Sequence, residues 1–315
     1  MLYEFALDPE VISDWQSFRY FVEKFGVSEG RLISQFPKKW KRMVYQAVER
    51  NNPTDIDKKR IEFRLQHIND RLIKKSRDYN GVQSWIENAL EQQNSAPFHA
   101  VITTQKLNIE NVLEANEVDE TLQLWNVPRQ KRVPRIAQNL AQAVSSLLKI
   151  AEEIIFIDPY FDPGKRRFRR PLEQFLQEAL HQNSNIKRIE YHVKVDFENE
   201  AERLTFGHNF DAACQNNIAP IIPDGFPVKF IRWKEREGGK RFHARYILTD
   251  RGGVLVENGL DDDDDDGGQV TPVVLLIFDM YSEIWNDFQK LVDLTQCTYE
   301  FDNEVTIWGT KRLNP

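Results

Sequence analysis

The sequence predicts an α/β fold, a mixed sheet flanked by helices, over residues 136–315, joined to a mainly helical region over residues 1–135. Three observations carry that prediction. Beyond residue 136, short apolar runs alternate with amphipathic stretches, the pattern of strands interleaved with helices. Before it, apolar residues recur mainly at spacings of three and four. Between the two, VPRQKRVPR (127–135) breaks both patterns with two prolines and four basic residues, which places the domain boundary there.

The elements follow in order. Val11, Trp15, Phe18, Phe21, Val22 and Phe25 share one helical face, and Gly26 supplies a stop. Residues 36–50 form a second helix from Pro37, with Trp40, Met43, Val44 and Ala47 on one side. Residues 54–76 read as a long charged helix carrying Ile61, Leu65, Ile68 and Leu72. FHAVIT (98–103) is a short strand, and 108–125 is helical again. In the second region, 136–150 is an amphipathic helix and 154–157 a buried strand ending at Asp158-Pro159. Helices over 171–181 and 200–216 alternate with strands over 188–195 and 228–233. Residues 242–249 and 254–257 are two strands joined by Asp250-Arg251-Gly252-Gly253, a composition suited to a tight turn. An apolar strand over 273–278 precedes a helix over 282–292, capped by Ser282, with Trp285, Phe288 and Leu291 on one face.

Composition narrows the function. Hydrophobic residues make up 41% and charged residues 29%, the balance of a soluble globular chain rather than a disordered one. No apolar run approaches the roughly 18–20 residues of a membrane span, and MLYEFALDPE lacks the basic and apolar segments of a signal peptide. The two cysteines, Cys214 and Cys297, suggest neither a disulfide framework nor a metal cluster. The expectation is a cytoplasmic protein with no membrane partner and no cofactor. A net charge of −7 argues against coating long stretches of nucleic acid, yet six of the negative charges fall in one run, Asp261 to Asp266. The remainder is nearly neutral and carries local basic clusters: KKWKR (38–42), RQKRVPR (129–135), KRRFRR (165–170) and KRFHAR (240–245).

The segment with chemical content is KRFHARYILTDRGGVLVENGL (240–260). His243 and Arg245 stand two residues apart, so on a strand they project from one face. An imidazole can attack phosphorus, a guanidinium can hold two phosphate oxygens, and the carboxylate of Asp250 can orient the imidazole. The bland reading is a strand with a solvated polar face.

This H-x-R-x4-D pattern resembles the H-x-K-x4-D signature of the phospholipase D superfamily. The context agrees over roughly 150–290: an apolar strand ending in IIFIDPYFDP (154–163), the motif on a strand, and a glycine turn into GGVLVENGL (252–260). The resemblance implies a metal-independent phosphodiesterase with His243 as nucleophile, Arg245 as clamp and Asp250 as orienting acid. Asn258, Lys240, Arg241 and Asp158 are the candidate substrate-binding residues. Two departures stand out: Arg245 replaces the usual Lys, and Glu257-Asn258-Gly259-Leu260 replaces the usual Gly-Ser followed by Asn. His192-Val193-Lys194 begins a second motif, but position 199 is Asn. One motif per chain therefore implies a homodimer with paired His243 residues.

The remaining features have plainer readings beside the functional ones. Asp158 and Asp162 flank a turn after a central strand, where ligands of open α/β sheets gather, but suit turn formation more; Tyr160 and Phe161 suit core or turn packing more than base stacking; and KRRFRR is either a nucleic-acid contact or a solvated helix start. Asp261–Asp266 lacks the spacing of a calcium loop and reads as a flexible acidic loop that repels polyanions or blocks the pocket. His67, His99, His181 and His208 read as structural or exposed. Two functions follow. One is a nuclease acting through a phosphohistidine, which by resemblance suits phage defence. The other is a degenerate module for dimerisation, nucleic-acid binding or a protein partner, with residues 1–135 contacting that partner.

Overall fold

Five short apolar runs in the first 129 residues pair as a parallel sheet. They are β1 (Tyr3–Leu7), β2 (Arg31–Ser34), β3 (Leu72–Ile73), β4 (Ala100–Thr103) and β5 (Val112–Glu114), in the order β3-β2-β1-β4-β5. The computed structural model describes residues 1–180, 185–197, 199–263 and 268–312. It divides into an N-terminal unit, Leu2–Arg129, and a C-terminal unit of Met1 with Gln130–Pro315.

In the N-terminal unit the helices are α1 (Trp15–Glu23), α2 (Trp40–Asn51), α3 (Asp55–Gln66) and α4 (Trp85–Ser95). Three of the four starts have a side-chain cap. Asp14 accepts from the amides of Gln16 and Ser17, Thr54 from that of Asp57, and Ser84 with Glu87 closes a capping box. The indole of Trp40, fully buried, donates to the carbonyl of Leu7 at 2.7 Å and ties α2 to β1. The expected mainly helical region is therefore corrected to an α/β unit, its helices packed around a parallel sheet. Parallel strands are buried on both faces, so these show as short apolar runs without alternation. The helix expected over 54–76 ends at Gln66 and yields to a 3-10 turn and β3. Residues 108–125, expected helical, hold β5 and a 3-10 turn instead.

The C-terminal unit contains β6 (Gln130–Pro134), α5 (Ala137–Leu148), β7 (Glu153–Ile157), α6 (Arg166–Leu180), β8 (Arg188–Lys194) and α7 (Glu200–Ala213). Then come β9 (Pro227–Lys234), β10 (Tyr246–Thr249), β11 (Gly252–Val256), β12 (Val270–Leu275), α8 (Phe278–Asp287) and β13 (Glu300–Trp308). The sheet runs β13-β9-β8-β7-β10-β11-β12-β6, with β7, β8 and β9 mutually parallel and every other pairing antiparallel. The mixed α/β sheet is as expected, with two additions at its edges. Gln130–Pro134, within the expected boundary segment, is an edge strand, where Pro134 is tolerated. β13, unanticipated, closes the other edge. Residue 278 opens α8 rather than closing a strand, because β12 spans Val270–Leu275.

Candidate functional site

The register of the C-terminal sheet decides which motif residues can meet. β10 runs antiparallel to β7, with Tyr246 opposite Ile157 and Thr249 opposite Ile154. Residues just before Tyr246 therefore lie beyond the carboxyl end of β7, beside Asp158. Residues after Thr249 lie at the amino end of β7. The carboxyl ends of parallel strands are where open α/β sheets gather ligands.

His243 and Arg245 fall at that favoured end, although β10 begins only at Tyr246 and both precede it. Phe242 fixes the approach. Its ring is buried against Phe288 and Tyr299, and its amide donates to the Glu235 carboxylate at 2.8 Å. Between Phe242 and the strand, the His243 imidazole meets the Tyr160 ring edge-on, centroids 5.9 Å apart, and the Arg245 guanidinium lies 4.8 Å from the same ring's centroid. Tyr160 is 51% exposed, so this is a surface platform rather than core. Arg245 Nη1 donates to the carbonyl of Glu257 at 3.3 Å, while its Nε is buried without an acceptor. Stacking and charge, more than hydrogen bonds, hold this guanidinium.

Asp158 lies beneath, 1% exposed, accepting from the amides of Tyr160 (3.0 Å) and Leu260 (3.1 Å). Burial pushes its pKa up; the two amides and the nearby positive charge of Arg245 partly offset that, and Asp261 adds to it. The carboxylate thus anchors the platform through two backbone amides and, being buried, does not present itself to an anionic ligand.

Asp250 does not join them. Its carboxylate accepts from the amides of Glu152 (2.8 Å) and Glu153 (3.1 Å), at the amino end of β7. The four residues of β10 separate it from Arg245, an extended rise of about 3.3 Å each. The expected orienting role is corrected: Asp250 ties the β10 turn to β7. The His243 imidazole has no hydrogen-bond partner among the described residues.

The expected substrate-binding residues also divide. Lys240 points to α8, where Nζ meets Glu283 at 2.6 Å and Asp287 at 2.8 Å, raising its pKa through those two carboxylates. Arg241, its side chain 87% exposed, sits 3.3 Å from Glu235, which also accepts from Lys194. Asn258 turns its amide nitrogen to the carbonyl of Val270 and clips its loop to β12. Only Asp158 lies at the platform. The sequence places Tyr160 in packing and gives no sign of Glu235; an aromatic directly after Asp158-Pro159, at the end of an apolar strand, was the available signal.

The acidic run and KRRFRR answer each other. Asp261, Asp262 and Asp263 are buried rather than part of a flexible loop; Asp264 to Asp266 lie outside the described residues, as does His181. Asp261 pairs with Arg135 and Arg167, Asp262 with Arg170, and Lys165 with Asp162. Much of that basic cluster is therefore neutralised internally. His192 is fully buried and makes no second motif: the Trp233 indole donates to its Nδ1 at 2.7 Å, which puts its proton on Nε2, facing Glu190 at 3.3 Å. Burial lowers its pKa.

The same sheet edge continues past Glu235 into a cavity of about 580 Å³ lined by Lys194, Lys234 and Arg236 together with Asp196, Glu237 and Glu300, a balanced set of charges. What the platform offers chemically is an exposed imidazole and a guanidinium on one aromatic ring, able to meet a phosphoryl group from two sides. No protein-family model matches this sequence, and no curated protein matches it either.

Proposed function

We propose that the C-terminal unit is a phospholipase-D-like domain that takes a phosphodiester of nucleic acid at the Tyr160 platform and cleaves it without a metal. The observation that supports this is the convergence of His243 and Arg245 on one exposed ring at the carboxyl end of β7. Arg245 holds the phosphate oxygens while an imidazole nitrogen of His243 bonds to phosphorus and the P–O ester bond breaks. The departing alkoxide takes a proton from His243 of a second copy. Water then attacks the phosphohistidine, frees His243 and returns its proton to that second imidazole. The reading thus includes a homodimer, and a role in phage defence accompanies the resemblance.

A second reading is a module that binds phosphate without cleaving it. It is favoured by one observation: no carboxylate is hydrogen-bonded to His243 among the described residues, Asp250 being engaged at Glu152 and Glu153. DNA, RNA and a chromogenic phosphodiester incubated in EDTA with the wild type and with His243→Ala separate the two. Cleavage that survives EDTA and disappears in the variant supports the enzyme; equal activity in both, or none in either, removes it. A strictly monomeric mass in solution removes the paired site.

A further inference from the structure

The carboxyl edge of the N-terminal sheet carries a cleft that the candidate site does not use. Chain leaving β2 and chain leaving β3 border a cavity of about 500 Å³, lined by Gln35, Phe36, Lys38, Lys74, Lys75 and Arg77 among others. Ligands of parallel α/β sheets bind at this end. The lining is cationic beyond what its acids can match. Lys75 and Arg77 share one carboxylate, Glu4, which also accepts from the Ser34 hydroxyl at 2.8 Å. Lys38 and Lys74 are exposed and have no ion pair among the described residues. Lys41, whose amine donates to Asn69, has its pKa lowered by burial first and by the charge of Lys74 second, with Asp70 opposing both.

Arg77 is built into the wall. Its side chain is 3% exposed, its guanidinium lies 3.9 Å from the Phe98 ring centroid, and its Nε is buried with no acceptor. Outside the cavity, Lys39 and Arg42, at the start of α2, are exposed as well. Cations from two separate loops, spread beyond one cavity, suit successive phosphates of a polymer better than one phosphate group.

We propose that this cleft binds the phosphate backbone of a nucleic-acid strand, independently of base sequence. The choice of nucleic acid rests on the reading of the C-terminal unit; the cationic cleft does not. The test uses the full chain and a fluorescein-labelled single-stranded oligonucleotide, with anisotropy measured across a salt series. Lys38→Gln with Lys74→Gln weakens binding about ten-fold and lowers the salt slope by about 1.4, roughly 0.7 for each lost contact on a single strand. Cleavage of the same oligonucleotide by the wild type in EDTA is scored separately, so failure of the catalytic reading shows as absent cleavage while the salt slope still reads the cleft. Both lysines are exposed, so the double variant keeps the wild-type melting curve; Lys74→Gln alone, read by its own salt slope, serves if it does not. Unchanged affinity and slope in the variants, no binding by the wild type, or equal competition by inorganic phosphate at matched phosphate concentration overturns the proposal.

Discussion

At the carboxyl edge of the N-terminal sheet, Lys38 and Lys74 have no acidic partner among the described residues. At the corresponding edge of the C-terminal sheet, cations are matched: Lys194 and Arg241 by Glu235, Lys240 by Glu283 and Asp287, Arg167 by Asp261, Arg170 by Asp262. Arg245 is stacked on Tyr160 and, among the described residues, donates only to a carbonyl, as Arg236 does to the carbonyls of Cys297 and Leu294. Unmatched charge attracts any polyanion and weakens with salt. A single guanidinium in balanced surroundings works through placement, so its contribution depends on geometry. The first edge is suited to holding, the second to chemistry at one phosphate.

Variants can break or sharpen that contrast. The largest effect is expected for Arg245→Ala, which removes the phosphate clamp and should reduce kcat/KM by about 10²–10³, while oligonucleotide affinity at the N-terminal cleft is unchanged. Asp250→Ala comes next. It removes the acceptor for two β7 amides at solvent-exposed positions and should lower unfolding free energy by about 1 kcal/mol in urea titration, with kcat unchanged. A large loss of kcat would restore Asp250 to the catalytic site.

Asp158→Asn probes the buried carboxylate through pH. A carboxyl group whose pKa is raised by folding binds its proton more tightly in the folded state. Its stabilising contribution is full below the unfolded pKa and is lost as pH rises through the folded one. The wild type should therefore gain stability relative to Asp158→Asn as the solution is acidified from neutral, measured by melting temperature at a series of pH values; the opposite trend contradicts burial as the dominant cause. The smallest effect is expected for Lys240→Ala, about 0.5 kcal/mol from a partly exposed ion pair and no change in cleavage.

Much of the C-terminal sheet was legible because its strands are apolar runs bounded by polar turns, as in 154–157 and around Asp250-Arg251-Gly252. The N-terminal sheet was not. β3 has only two residues and β5 three, too short for a period to show, and helical spacing in their neighbours dominated the pattern. At the site, His243 and Arg245 approach one ring, but from the chain before β10 and not from the strand that their spacing implied. The five-residue spacing to Asp250 misled, because it equals a strand's length and carries the carboxylate to the far end of β10. Tyr160 reads as packing from sequence because an aromatic after Asp-Pro packs inward as readily as outward, and only the register shows which. The partners of Asp261 and Asp262, Arg167 and Arg170, lie more than ninety positions away, beyond any local pattern.

The most direct test is to mix the protein with a phosphodiester substrate in EDTA, quench in base within the first turnovers, and map by mass spectrometry the peptides that carry the substrate's phosphoryl group with its remaining ester. That adduct on the imidazole of His243, reduced in Arg245→Ala and retained in Asp250→Ala, is the predicted result. Substrate turnover with no adduct on His243, or an adduct on another residue, would contradict the account.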